Sequence, residues 1–129
     1  MKHEKIGIRI FGIIEILIGS VTFIALLASF FLGRSAKPAE VFVFVLTTSI
    51  ISAGLGIGLI RHNLHSYHIL LFFSAVIILS KFLVFAGIIY FNGALETTIS
   101  PYFKNITSII YHGILLIYLT RASVKNNFQ

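Results

Sequence analysis

The feature that most constrains this chain is a set of four long apolar segments separated by short polar ones. A helix rises 1.5 Å per residue, so crossing a hydrocarbon core of about 30 Å takes about 20 residues. Three segments meet that length. The fourth has an apolar part of 106–120 and meets it only if the helix begins near Pro101, a residue type suited to a first helical turn. The predicted spans are residues 8–33, 41–60, 67–91 and 102–120.

The amino-acid composition is typical of an integral membrane protein. Of the 129 residues, 57% are hydrophobic and only 11% are charged, and the mean hydropathy is +1.00. A water-soluble domain of this size cannot bury that much apolar surface, whereas a bilayer covers it. The first apolar run is about twice as long as the 7–15 residues typical of a signal peptide core, so we predict that it is retained. Residues 1–129 are predicted to form a single transmembrane domain.

The connections between the segments predict the topology. All are short, so consecutive helices should pack antiparallel in an all-α, up-down four-helix bundle. Lysine and arginine favour the cytoplasmic side of a membrane protein, and one side of this chain carries six of them against three on the other. Both termini are therefore predicted to be cytoplasmic, in the inner (plasma) membrane. The six are Lys2, Lys5, Arg9, Arg61, Arg121 and Lys125, and the three are Arg34, Lys37 and Lys104.

Small residues in the first two segments predict where helices touch. In lipid, helices associate by close packing, and spaced small residues mark the contact surfaces. The second segment repeats them at four-residue spacing, and the first has two glycines one heptad apart. The predicted packing residues are Gly12, Gly19, Thr48, Ser52, Gly54, Gly56 and Gly58. Packing within the bundle is the preferred interpretation, and a dimer surface is the alternative.

Three ionisable residues lie inside apolar segments: Glu15, Lys81 and His112. Each is costly in hydrocarbon, so each should face protein or water. Antiparallel helices bring them towards a common depth, and the lysine side chain can extend along its helix. We therefore predict a buried polar cluster in which Lys81 extends towards Glu15, with His112 between them. The cluster would fix helix register, form a proton or ion path, or contact another subunit or a lipid headgroup.

The loop between the second and third segments is rich in histidine. His62, His65 and His68 follow at three-residue spacing after Arg61. A continuous helix would spread them over a third of its circumference, and no Asp, Glu or Cys nearby completes a metal-binding set. No metal site is predicted. Instead, we expect these residues, together with Arg121, to contact anionic lipid headgroups.

Sequence patterns of enzymes are absent. The chain has no cysteine, and its four carboxylates are scattered along the sequence. The GLGIG stretch lies inside an apolar segment, where it favours packing over phosphate binding. Basic residues stand at segment ends rather than in a patch, which argues against a nucleic-acid partner. We predict no catalytic residue and no cofactor; the bilayer, other membrane subunits or a second copy of the chain are the expected partners.

Three stretches of the sequence are similar to a diffuse group of small, uncharacterised bacterial membrane proteins with four transmembrane helices. They are IGIRIFGIIEILIGS, GLGIGLIRHNLHSYHILLFFSAV and YLTRASVKNNF. Members similarly close with Tyr-Leu, a basic residue, then Val-Lys and a Phe. This chain departs from the group at HSYH, where members often show a Trp-Ala-Arg-like stretch. The resemblance implies the four-helix topology and no established activity.

These observations leave three classes of function. The leading prediction is a non-enzymatic small membrane protein that serves as a structural or accessory subunit of a membrane complex. The alternative is a homo-oligomeric, proton- or ion-coupled small transporter or channel that uses Glu15, Lys81 and His112. The second alternative is a lipid-interacting regulatory membrane protein, suggested by the basic cytoplasmic rim.

Overall fold

A computed structural model describes residues 2–33, 39–88 and 100–128, and within those ranges the regular structure is entirely helical. The predicted all-α class is therefore confirmed. Four long helices carry the fold, and a short helix and a 3-10 turn follow the last of them. They are α1 (Lys2–Phe31), α2 (Ala39–Ile60), α3 (Leu64–Phe85), α4 (Pro101–Leu119), α5 (Ala122–Lys125) and the 3-10 turn Asn126–Phe128.

Contacts between the long helices establish an up-down arrangement. Gly12 of α1 packs against Gly56 of α2, and Gly19 packs against Ser49, so residue numbers rise in one helix as they fall in the other. The same antiparallel order relates α4 to α1, and α3 to α4. It follows from the ring contacts Phe11–Tyr118 and Phe85–Tyr102 and from the hydrogen bonds Tyr111–Glu15 and Tyr67–Leu119. Both termini and the α2–α3 turn thus lie at one end of the bundle.

The turn from α2 to α3 takes three residues, and each of its ends has a specific cap. His62 adopts φ of 54°, and the amides of His62 and Asn63 donate to the carbonyl oxygens of Leu59 and Gly58 at 3.0 and 2.9 Å. This pattern is a Schellman motif, which usually places glycine at the position of His62. Asn63 then caps α3, because its side-chain oxygen accepts from the amides of His65 and Ser66. The two caps fix α2 and α3 as a tight hairpin.

Most helix ends differ from the predicted spans by one to three residues, and two differ by six. α1 begins six residues earlier than the apolar segment, because the Tyr118 hydroxyl donates to the Glu4 carbonyl oxygen at 2.9 Å and holds the first turns against α4. α3 ends at Phe85 rather than at residue 91, because Gly87 takes a φ of 69° and closes the helix. Residues 89–91, and Arg34 and Lys37 of the predicted outer loops, lie outside the described ranges.

The C-terminal segment folds back onto the bundle. α4 and the following residues Ala122–Phe128 are bent by 73°. Phe128 stacks on Tyr67 of α3 with ring centroids 4.7 Å apart, and Tyr67 in turn donates from its hydroxyl to the Leu119 carbonyl oxygen at 3.0 Å. The main apolar core therefore lies at the end that holds the termini. Its residues are Ile8, Leu55, Leu59, Tyr67, Leu70, Leu115, Leu119, Val124 and Phe128.

The outside of the bundle is apolar. One side of α1 exposes the side chains of Ile6, Ile10, Ile13, Leu17, Val21 and Ile24. By length and composition, α1, α2 and α3 can each cross a membrane, and a fourth span results if α4 and the bent segment after it count as one. These helices are compatible with a membrane protein, and their exposed aliphatic surfaces suit contact with lipid.

Candidate functional site

Glu15 is the most deeply buried ionisable residue of the described chain, with 1% of its surface exposed. Its two carboxylate oxygens accept hydrogen bonds from two other helices. The Ser52 hydroxyl of α2 donates to Oε2 at 2.5 Å, and the Tyr111 hydroxyl of α4 donates to Oε1 at 2.9 Å. A single side chain thus joins three helices in the middle of the bundle.

Glycines make the short Ser52 bond possible. A side-chain carbon added to Gly12 would lie 2.9 Å from the Gly56 carbonyl oxygen, and one added to Gly19 would lie 2.5 Å from that of Ser49. The backbones of α1 and α2 are therefore in direct contact on both sides of Glu15. Only at this distance does a side chain as short as serine bridge the two helices.

His112 lies beside this network and is held by its own helix. Its Nδ1 atom pairs with the Ser108 carbonyl oxygen at 2.8 Å, and 6% of the residue is exposed. Successive helical residues point about 100° apart. Tyr111 therefore faces Glu15, while His112 faces the space between α2 and α3. Both Glu15 and Lys81 are close enough to the His112 ring for their charges to act on it.

Lys81 is half-buried and does not pair with Glu15. The Glu15 oxygens are occupied by Ser52 and Tyr111, and no carboxylate of the described residues lies within ion-pair distance of the Lys81 ammonium. The three predicted cluster residues are thus neighbours in the order Glu15, His112, Lys81. The structure has no direct contact between the first and the last.

A cavity of about 250 Å³ separates Lys81 from the Glu15 network. All four long helices line it, and Lys81, His112 and Ser52 are among the lining residues, whereas Glu15 is not. Val41 near the start of α2 and Val84 near the end of α3 also line it. The cavity therefore lies towards the end opposite the termini, away from the apolar core.

The structure brings most of the predicted packing residues into contact within the chain. Gly12, Gly19, Gly56 and Ser52 form the α1–α2 contact, and Gly58 meets Ser66 across the α2–α3 turn. Thr48 donates to the Phe44 carbonyl oxygen and lines the cavity. Gly54 is exposed, and a side-chain carbon added to it would meet no atom of the described residues within 4 Å, so the GxxxG motif makes no contact with them at this position.

The predicted headgroup residues surround the end that holds the termini. Four of them are exposed: Arg61, His65, His68 and Arg121. His62 differs, because its ring packs against Phe128 with centroids 5.6 Å apart and it is partly buried. His62 therefore belongs in part to the contact with the C-terminal segment. Lipid contact by any of these residues stays a prediction.

Sequence reasoning missed Tyr111. A tyrosine in an apolar helix carries no charge, so it does not stand out as Glu15, Lys81 and His112 do. The available signal was position: in an antiparallel bundle the residue next to His112 lies near the depth of Glu15. Whether Tyr111 faces α1 depends on the rotation of α4 about its axis, which the sequence pattern does not fix.

No protein-family model matches the chain, and neither a curated protein nor a solved structure matches it. The class of the protein therefore follows from its fold and its site alone. In the residues that the structure describes, it is an all-helical protein with several candidate membrane spans, a polar junction at Glu15 and a partly open cavity.

Replacing Tyr111 tests the polar junction. Tyr111→Phe removes one donor to Glu15, and we expect the free energy of unfolding to fall by about 0.6–1.7 kcal/mol, the range measured for hydrogen bonds between membrane helices. The matched control is Tyr102→Phe. Tyr102 is 70% exposed, so loss of its hydroxyl should leave the free energy of unfolding unchanged. Unfolding in a detergent titration measures both. Equal losses for the two variants, or an unchanged cost of Tyr111→Phe in a Glu15→Ala background, would contradict the assignment.

Proposed function

We propose that the chain is a multi-pass protein of the bacterial inner (plasma) membrane, with four spans and both termini in the cytoplasm. Three long apolar helices and the bent pair after them support the spans. The excess of basic residues at the end that holds the termini supports the orientation. The similarity of three stretches to small bacterial four-helix membrane proteins supports the same topology.

The absence of cysteine gives a direct test of that orientation. A cysteine in place of Lys125 should react with a membrane-impermeant maleimide only after the inner membrane is opened. One in place of Ser100 should react in intact spheroplasts. The reverse labelling pattern would mean that the termini lie outside the cytoplasm, opposite to the proposed topology.

Within the membrane, we propose a non-enzymatic role as a structural or accessory subunit of a larger complex. The observation that carries this proposal is the enclosure of Glu15. Both carboxylate oxygens hold neighbouring helices, and Glu15 does not line the cavity. A carboxylate that relays protons needs a path to water, whereas one that fixes helix positions does not. The Glu15 network thus favours a structural role.

Native mass spectrometry of gently extracted particles tests the subunit role. We expect a mass that includes other polypeptides besides the 14.3 kDa chain. Membranes that express the Glu15→Ala variant should yield less of this complex, because the helices that present its surface lose a junction. A particle whose mass is a clean multiple of the single chain would refute the accessory role.

A homo-oligomeric transporter or channel is the second candidate, and one observation favours it. Lys81 and His112 both line a partly open cavity that touches all four long helices. A polar path of this kind would use these two residues, with Glu15 acting on His112 through its charge. The clean multiple of 14.3 kDa that refutes the first candidate is the result expected for this one.

A further inference from the structure

The cavity between the four long helices is partly open to the outside of the bundle, and it has the size of a small ligand site. Its volume of about 250 Å³ equals that of about eight water molecules in the liquid. Side chains of Phe44, Phe73 and Ile77 form apolar walls. Lys81 and His112 line it as well. The cavity thus combines apolar walls with a small number of polar groups, the usual composition of a small-molecule site.

The polar groups that line the cavity leave one strong hydrogen-bond donor free. Several hydroxyls already donate to carbonyl oxygens of their own helices, as Thr48 does to Phe44, Ser49 to Leu46 and Ser80 to Ile77. The His112 Nδ1 atom is paired with the Ser108 carbonyl oxygen. Lys81 has no such partner among the described residues, and an ammonium group offers three N–H donors.

The charge of the cavity is also unbalanced. Among the described residues that line it, the titratable ones are Lys81 from α3 and His112 from α4, and those of α1 and α2 are hydroxyl and apolar residues with no carboxylate. The Glu15 carboxylate does not line the cavity, and its oxygens accept hydrogen bonds from Ser52 and Tyr111. A cation that faces a cavity of low polarity is stabilised by an anion in that cavity.

We propose that this cavity binds a small anionic amphiphile. Its carboxylate or phosphate group pairs with the Lys81 ammonium, and its apolar chain lies along Phe44, Phe73 and Ile77. A bare inorganic anion would leave these apolar walls uncovered, and an uncharged chain would leave Lys81 without a partner. The ligand comes either from the aqueous phase as a free carboxylate or from the bilayer as a lipid. In both cases the recognised chemistry is an anion with an attached chain.

Photolabelling of the full chain in phosphatidylcholine nanodiscs tests the proposal. The probe is decanoate carrying a diazirine on its chain, and labelled peptides are identified by mass spectrometry. We expect labels at Phe73 or Ile77, which line the cavity and are less exposed to lipid than Phe44. Unlabelled decanoate should compete for these labels and decanol should not. This competition uses the unaltered protein and does not depend on the folding of a variant.

Variants of Lys81 then test whether its ammonium group pairs with the carboxylate of the probe. Lys81→Met should reduce labelling of the cavity about tenfold or more, which corresponds to the loss of one charge-assisted hydrogen bond. Lys81→Arg should retain it. Lys125→Met is the matched control, because Lys125 is exposed at the opposite end of the bundle. Equal competition by decanol, or cavity labelling by the probe that Lys81→Met leaves unchanged, would overturn the proposal.

Labelling in a nanodisc of a second lipid composition distinguishes a ligand that comes from the bilayer from one that comes from the aqueous phase. Phosphatidylglycerol in the bilayer should displace the probe if an anionic lipid is the natural occupant. Undiminished labelling in that bilayer indicates a free carboxylate. Labels confined to lipid-facing residues in both bilayers, such as Leu17 and Val21 of α1, would show that the cavity binds neither.

Discussion

Gly19→Leu should cost about 3 kcal/mol or more in free energy of unfolding and should separate α1 from α2. An added side-chain carbon at this position meets the Ser49 carbonyl oxygen at 2.5 Å and the Ala53 amide nitrogen at 2.6 Å. Both are backbone atoms, which cannot move aside by changing rotamer. Overpacked sites typically lose 1–3 kcal/mol, and a clash with backbone belongs at or above the upper end of that range. Thermal unfolding in detergent measures the loss.

Gly54→Leu is the matched control for Gly19→Leu. Both glycines lie inside long helices, and both variants add the same side chain. No atom lies within 4 Å of a carbon added at Gly54, which is exposed. Because leucine is also the better helix former, we expect the control to be neutral or slightly stabilising. If Gly54→Leu destabilises the monomer as much as Gly19→Leu does, the α1–α2 contact described above is wrong.

The second large effect is expected at the C-terminal segment. Phe128→Ala should destabilise the protein by about 3–5 kcal/mol, the usual range for a buried phenylalanine. Phe128 is 4% exposed and stacks on Tyr67, which is itself 2% exposed and bonds the end of α4. Loss of the ring therefore loosens the bent segment and the end of the bundle together. Limited proteolysis near residue 121 should become faster, and thermal unfolding should begin at a lower temperature.

Lys125→Ala provides the comparison for Phe128→Ala. Lys125 is exposed on the same bent segment, so its replacement should change stability by no more than about 0.5 kcal/mol. A Phe128→Ala variant that unfolds and is cleaved like Lys125→Ala would mean that the segment does not pack against Tyr67.

The four long helices were predictable because apolar length is a strong signal. An uninterrupted apolar run long enough to cross a bilayer has few alternatives to a helix. The bent C-terminal segment was not predictable in the same way. In α5 and the 3-10 turn, Val124 and Phe128 are the buried residues, and Phe128 is buried by stacking on Tyr67 of another helix. A pattern so short has no periodicity that reveals its burial.

The members of the polar site were easier to predict than their partners. Glu15, Lys81 and His112 stand out because each interrupts an apolar run. The pairing is less predictable, because a rotation of α4 by one residue, about 100°, would point His112 in the direction that Tyr111 now takes. In the structure Tyr111 donates the hydrogen bond to Glu15, and Lys81 lines the cavity without bonding Glu15.

The bonds to Glu15 also set an order of assembly during synthesis. Ser52 follows Glu15 by 37 residues and Tyr111 follows it by 96, so the chain supplies the first donor long before the second. The α1–α2 hairpin can close around the carboxylate while α4 is still in the ribosome, since N-terminal parts of a chain form first. The other carboxylate oxygen of Glu15 has its donor, Tyr111, only after α4 has been synthesised. A ribosome-bound nascent chain that ends before residue 111 would carry the Ser52 bond of this junction without the Tyr111 bond.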